Sequence, residues 1–229
     1  MMRSMLRLLT AGESHGMALV GVLEGLPSGV PVSPKEIAGE LARRRHGHGR
    51  SGRQKLEGDR FEIVSGVRHG RTLGSPIAVT IENAEWDEKY RDLMAVEGEP
   101  DPAERLTRPR PGHADLAGSL KYGFDDVRNV LERASARETA MRVALGVFCK
   151  ALLAELGIAV VSHVVRVGKV AVRSTRLPRP EDLEVVDASP VRCFDEVVAD
   201  RMVAEIDRIR KDRDTVGGVF EVIAYGCPP

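Results

Sequence analysis

The chain has 229 residues with 34 basic and 34 acidic side chains, so its formal net charge is zero and nothing in the overall balance draws it to a polyanion. That length holds one large domain or two small ones with ample core. Three scattered cysteines without a CxxC pair exclude a zinc knuckle or a disulfide framework, and no apolar run approaches a signal peptide or the ~20 residues of a membrane span, so a cytoplasmic chain with free thiols is expected.

Leu6 to Thr10 and Met17 to Leu23 read as strands joined by the polar turn Gly12 to Gly16. Ser33 is a strong N-cap, with Pro34 at the first helical position and Glu36 at the third, which predicts a helix to about Arg45 with Ile37 and Leu41 on one face. Gly47, Gly49 and Gly52 stop it. Phe61 to Val67 and Ile77 to Ile81 alternate apolar and polar residues and predict a hairpin, with Gly70 and Gly74 between them. Residues 83–107 are acidic and proline-bearing and read as a long surface loop. A helix is predicted from Ser135 to about Leu156, opened by a Ser135/Glu138 capping box, striped by Val143, Val147, Leu152 and Leu156, and ended by Gly157. Ile158 to Val172 reads as strand, 173–192 as loop, Asp195 to Arg210 as an amphipathic helix and Val216 to Tyr225 as a last strand. Hairpins alternating with long helices argue an α+β fold of antiparallel sheets backed by helices. We read residues 1–229 as a single domain, and the stop at Cys227-Pro228-Pro229, directly after a strand, reads as a truncation.

Three stretches crowd Arg or His against small residues, a mixture suited to gripping an anion rather than to a core. Gly12-Glu13-Ser14-His15-Gly16 places an imidazole in a turn that a ligand can approach closely. Arg110-Pro111-Gly112-His113-Ala114-Asp115 offers a second imidazole with a carboxylate to orient it. Arg133-Ala134-Ser135-Ala136-Arg137-Glu138-Thr139 meets the N-terminus of a helix, where free N–H groups and arginines favour an anion. Between the first two lies the Arg43 to Arg53 run, five arginines without an acid. A helix C-terminus accounts for one or two of these, and bidentate binding of phosphate or carboxylate for the rest. Gly47, Gly49 and Gly52 match GxGxxG but follow a helix, whereas a dinucleotide fingerprint must follow a strand. The rival for the arginine run is a solvated face or a nucleic-acid patch, and the lack of nearby aromatics weakens base stacking.

In this order, with Ser65-Gly66-Val67, Gly74-Ser75-Pro76-Ile77, Lys121-Tyr122-Gly123 and Arg142-Val143-Ala144, the motifs resemble the chorismate synthase family along essentially the whole chain. The resemblance implies a β-α-β sandwich, a homotetramer, and 1,4-anti elimination of phosphate from 5-enolpyruvylshikimate 3-phosphate to chorismate. Reduced FMN is required without net redox change, with NADPH as a possible reductant. It further implies a phosphate lyase of the shikimate pathway for aromatic amino acids, with a small-molecule partner and neither nucleic acid, membrane nor metal. Carried over by residue, His15 and His113 match the two active-site histidines, His15 on the phosphate side and His113 on the flavin side. Arg44 and Arg50 match the NADPH or substrate site, Arg53, Arg110 and Arg137 the surroundings of the anionic substrate, and Arg133, Ala134 and Ser135 an FMN-binding stretch.

Two departures stand out. Many relatives carry a second serine where this chain has Ala134, and a Gly-rich approach where it has Asn129-Val130-Leu131-Glu132, so one hydroxyl contact to flavin is missing. Relatives also continue beyond Pro229 into a signature bearing an aspartate base and further FMN contacts, so residues 1–229 alone are expected to bind FMN poorly and not to turn over. Two rival readings, a nucleic-acid module using Arg43 to Arg53 and a plain interaction domain, make no use of His15.

Overall fold

The computed structural model describes residues 5–49 and 58–229, and Arg50 and Arg53 therefore lie outside the described residues. The chain divides into two units, residues 1–41 with 56–149 and residues 42–55 with 150–229.

The first unit is built on a four-stranded antiparallel sheet in the order β1–β2–β6–β3, from β1 (Arg7–Ala11), β2 (Ala18–Glu24), β3 (Phe61–Ser65) and β6 (Ile77–Glu82). The alternation read in the sequence becomes one buried face. Leu19 lies opposite Ile81, Gly21 opposite Val79 and Leu23 opposite Ile77, and all of them are buried. β3 and β6 pair as a hairpin would, but the connection carries a small ribbon of its own, β4 (Val67–Arg68) on β5 (Arg71–Thr72). Helix α1 (Pro34–Arg45) starts where Ser33 and Pro34 predict, with the Lys35 N–H donating to Ser33 Oγ at 3.2 Å and the Ser33 N–H donating to Glu36 at 3.3 Å. Its Ile37 and Leu41 are buried.

The loop 83–107 is not featureless. It holds a π-helical turn at Trp86–Tyr90 and a 3₁₀ turn at Pro102–Glu104. Two short helices follow, α2 (Asp115–Tyr122) and α3 (Arg128–Leu131), which the sequence reading left unassigned. They meet at Gly118, where an added Cβ would come within 2.9 Å of a Val130 methyl.

The long helix α4 (Thr139–Glu155) begins later than predicted, after a 3₁₀ turn at Ala136–Glu138. The expected capping box does not form. Ser135 Oγ accepts the Arg137 N–H, and the Glu138 carboxylate turns instead to Thr10 Oγ1 at 2.6 Å and to the Arg142 guanidinium at 2.9 Å. The buried stripe is also rotated from the one expected. Met141, Ala144, Leu145 and Phe148 are buried together with Val147, while Leu156 is 63% exposed. Gly21 explains the rotation: a Cβ there would lie 2.7 Å from Met141 Cγ and 2.8 Å from a Leu145 methyl, so the helix seats in the gap left by that glycine.

The second unit is a three-stranded antiparallel sheet, β8–β7–β9, from β7 (Ala159–Val167), β8 (Val170–Ala171) and β9 (Gly218–Tyr225). Its core gathers Val167, Val170, Cys193, Val198, Ala199 and Met202. The last three come from α6 (Glu196–Lys211), whose N-cap Asp195 accepts the Val198 N–H at 3.1 Å. Within the stretch read as loop sits α5 (Leu183–Ala188), with Val186 buried. The architecture is α+β with antiparallel sheets, as expected.

Candidate active site

His15 sits in the tight connection between β1 and β2. Gly12 takes φ +95°, and a Cβ there would fall 2.8 Å from Leu19 Cα, so only glycine lets the chain turn this closely. Asn83, directly after β6, clamps the turn. Its side-chain amide donates to Glu13 O at 3.0 Å and to Gly16 O at 2.7 Å. The turn is tied from the other side by the Ser14 N–H, which donates to Glu132 O at 3.0 Å.

The Glu132 side chain, at the end of α3, is 1% exposed, and one of its oxygens accepts three donors from the turn. These are Ser14 Oγ at 2.5 Å, His15 Nδ1 at 2.7 Å and the His15 backbone N–H at 3.1 Å. Arg128 stands 3.6 Å from its other oxygen. Burial pushes the Glu132 carboxyl up, but the hydrogen bonds from His15 and Ser14 outweigh it, and the net shift is down. The imidazole stacks on Tyr90, with ring centroids 4.0 Å apart, and its Nε2 lies 4.0 Å from Glu85. The π-helical turn of the acidic loop thus forms one wall around His15.

His113 immediately precedes α2, and its Nδ1 contacts the fully buried Asp115. Asp115 is also gripped by Arg110, through Nε at 2.9 Å, Nη2 at 3.2 Å and the backbone N–H at 3.0 Å. Those bonds, led by the guanidinium, hold the Asp115 carboxyl far below the usual carboxylate range despite its burial. The sequence reading of Asp115 as the group that orients His113 therefore matches the geometry. Arg110 is raised first by its hydrogen bond to Asp115 and further by the charges of Asp115 and Glu132.

The remaining expected residues fall into three groups. Arg133 donates through Nη2 to Thr10 O at 2.8 Å and to Thr10 Oγ1 at 3.0 Å and stands 3.8 Å from Glu138, while its buried Nη1 has no hydrogen-bond partner among the described residues. Ala134 beside it is exposed, and Ser135 is half-buried. Arg137, expected at the substrate, instead spends its guanidinium inside the protein. It pairs with Asp59 and donates to Asn83 Oδ1 at 3.0 Å and to Glu82 O at 3.1 Å, so its anion is one of the chain's own carboxylates and its reach is to the clamp that holds the His15 turn. Arg44 lies in the last turn of α1, in the second unit, half-buried. Glu132, Asn83, Glu85 and Tyr90 escaped the sequence reading. Glu132 directly precedes the Arg133 motif and Asn83 directly follows a strand, but no spacing links either residue to a turn more than sixty positions away.

Each of the two imidazoles is backed by a buried carboxylate, an arrangement suited to moving protons. The comparisons give that class a family. The chorismate synthase family model matches residues 6–229. Chorismate synthase of Leifsonia xyli is 58% identical over 234 residues, covering 98% of this chain and 58% of the relative. That of Salinispora tropica is 57% identical over 237 residues, covering 98% and 59%. A crystal structure of chorismate synthase superposes with a TM-score of 0.73 at 40% identity, over 96% of this chain and 58% of that one. The chain belongs to the chorismate synthase family, and it spans a little under three-fifths of the length of the curated relatives it matches.

Proposed function

We propose that this chain works in the reduced-FMN-dependent elimination of phosphate from 5-enolpyruvylshikimate 3-phosphate, giving chorismate. The observation that supports it most is the pairing of His15 with Glu132 and of His113 with Asp115, at the two family histidines of a chain that matches the family from residue 6 to 229.

In this reading His15 gives a proton at Nε2 to an oxygen of the departing phosphate, so the leaving group departs with less charge. His113, held by Asp115, keeps a proton ready on the flavin side. Arg110, half-exposed beside His113, faces the substrate carboxylates, and Arg53 serves the same anionic substrate. Arg137 acts at a distance, by bracing the His15 turn through Asn83.

A flavin suits the residues at the start of α4. The buried Nη1 of Arg133, without a hydrogen-bond partner among the described residues, is a donor that an anion would satisfy, and Ser135, two residues on, adds a hydroxyl. Reduced FMN, when bound, supplies the electron density that lets the phosphate depart without net oxidation. Arg44 and Arg50 serve the NADPH or substrate side, and the assembly is a cytoplasmic homotetramer.

The test is a titration of reduced FMN, under anaerobic conditions, with and without the phosphorylated substrate, followed by the flavin spectrum. Substrate tightening flavin binding about tenfold, roughly 1.4 kcal/mol, supports the reading. Flavin binding indifferent to substrate overturns it.

A further inference from the structure

We propose that Glu132 is the positioning residue of His15. It holds the imidazole in the form that carries its proton on Nδ1, and so makes Nε2 the atom that exchanges protons with the ligand. The inference rests on the lyase reading only for what that ligand is.

Glu132 is almost fully buried, and one of its oxygens accepts from Ser14 Oγ, the His15 backbone N–H and His15 Nδ1 together. An ionised carboxylate has no proton to give, so a 2.7 Å contact with Nδ1 places the proton on the ring nitrogen. Hydrogen bonding to the charged form keeps the carboxyl ionised despite its burial. The backbone bond fixes the residue and the Nδ1 bond fixes the ring, while stacking on Tyr90 limits rotation about the side chain. Among the described residues no hydrogen bond reaches Nε2, and Glu85 stands 4.0 Å from it, beyond hydrogen-bond distance.

The step balances simply. The imidazolium passes its Nε2 proton to a phosphate oxygen, becomes a neutral imidazole whose Nδ1–H still donates to Glu132, and is reprotonated at Nε2 from solvent. Glu132 never takes the proton itself. Arg128, 3.6 Å from its second oxygen, adds a charge that keeps it ionised. The same buried arrangement also explains why a glutamate stands immediately before the cationic Arg133 stretch: its partner is the β1–β2 turn, not the arginine after it.

The experiment is two-bond proton–nitrogen correlation of the ¹⁵N-labelled chain at about pH 8.5, where an ordinary imidazole is neutral, with His15 assigned by its loss in His15→Gln. The wild type is expected as the Nδ1–H tautomer. Glu132→Leu, of similar size but without an acceptor, is expected to shift the ring toward Nε2–H. If Glu132→Leu fails to fold, Glu132→Gln decides, since its carbonyl still accepts. There the Nδ1–H resonance moves upfield as the charged acceptor is lost, while Glu85→Gln leaves the tautomer unchanged. A wild-type Nε2–H tautomer, an unchanged tautomer in folded Glu132→Leu, or an unmoved resonance in Glu132→Gln overturns the proposal. None of these readouts needs substrate or flavin, so a failed flavin titration would remove the lyase reading and leave this result standing.

Discussion

Arg137 closes on Asp59 with 4% and 2% of the two side chains exposed, and the same guanidinium reaches Asn83, which holds both ends of the His15 turn. A buried cation and anion this enclosed stabilise little as a pair, but removing one strands the other. Arg137→Met and Asp59→Asn are each expected to cost about 3–5 kcal/mol in a urea titration. The double variant Asp59→Asn/Arg137→Met should lose clearly less than the sum of the singles. Additive losses would show that the two side chains do not act as a unit.

This pair marks where the sequence could be read and where it could not. The strands β3 and β6 and the helices α1 and α6 were legible because each carries its own signal: alternation in the strands, a 3.6-residue apolar period in the helices, with the Ser33 cap opening α1. His15 and His113 were legible because local glycines and a nearby Asp115 mark them out. The Asp59 partner of Arg137 was not legible, because an arginine beside a serine at a helix start looks the same whether its anion comes from solution or from a carboxylate 78 positions away. The rotated stripe of α4 was equally hidden. Val143 and Leu152 have helical spacing, but the gap at Gly21 belongs to another element and decides which side of the helix faces in.

That gap gives a direct test of packing. Gly21→Ala places a methyl against Met141 and Leu145 in a closed layer and is expected to cost about 1–3 kcal/mol by urea or thermal melting. Met141→Ala in the same chain should return part of that loss by making room. Gly21→Ala as stable as the wild type would mean that α4 does not sit on β2 as described.

Acid should weaken the first unit through Asp115 and Glu132. Both carboxyls titrate lower in the folded protein than in the unfolded chain, Asp115 by far the more. Such a group stabilises the fold above its unfolded value of roughly 4, and that contribution is lost as the pH falls through the folded value. Asp115→Asn is therefore expected to be less stable than the wild type at pH 7 by about 1.5–3 kcal/mol, the range for a lost charged hydrogen bond. The gap should narrow steadily below about pH 4. Urea midpoints at pH 7 and pH 3 make the comparison, and an equal gap at both would contradict the assignment.

Arg133 separates the ligand from the frame. Its Nη2 holds Thr10, but its Nη1 is buried without a hydrogen-bond partner among the described residues, a cost the protein bears unless an anion completes it. Arg133→Lys keeps the charge and gives up the two-pronged geometry. We expect this variant to bind FMN at least about tenfold more weakly, 1.4 kcal/mol, in a flavin-fluorescence titration. Added salt should weaken wild-type binding less than it would an exposed contact, because the donor is out of water. Stability should fall by less than about 1 kcal/mol, since Thr10 Oγ1 retains its bond to Glu138. Unchanged flavin affinity in a folded Arg133→Lys would mean that the spare N–H serves something other than the flavin.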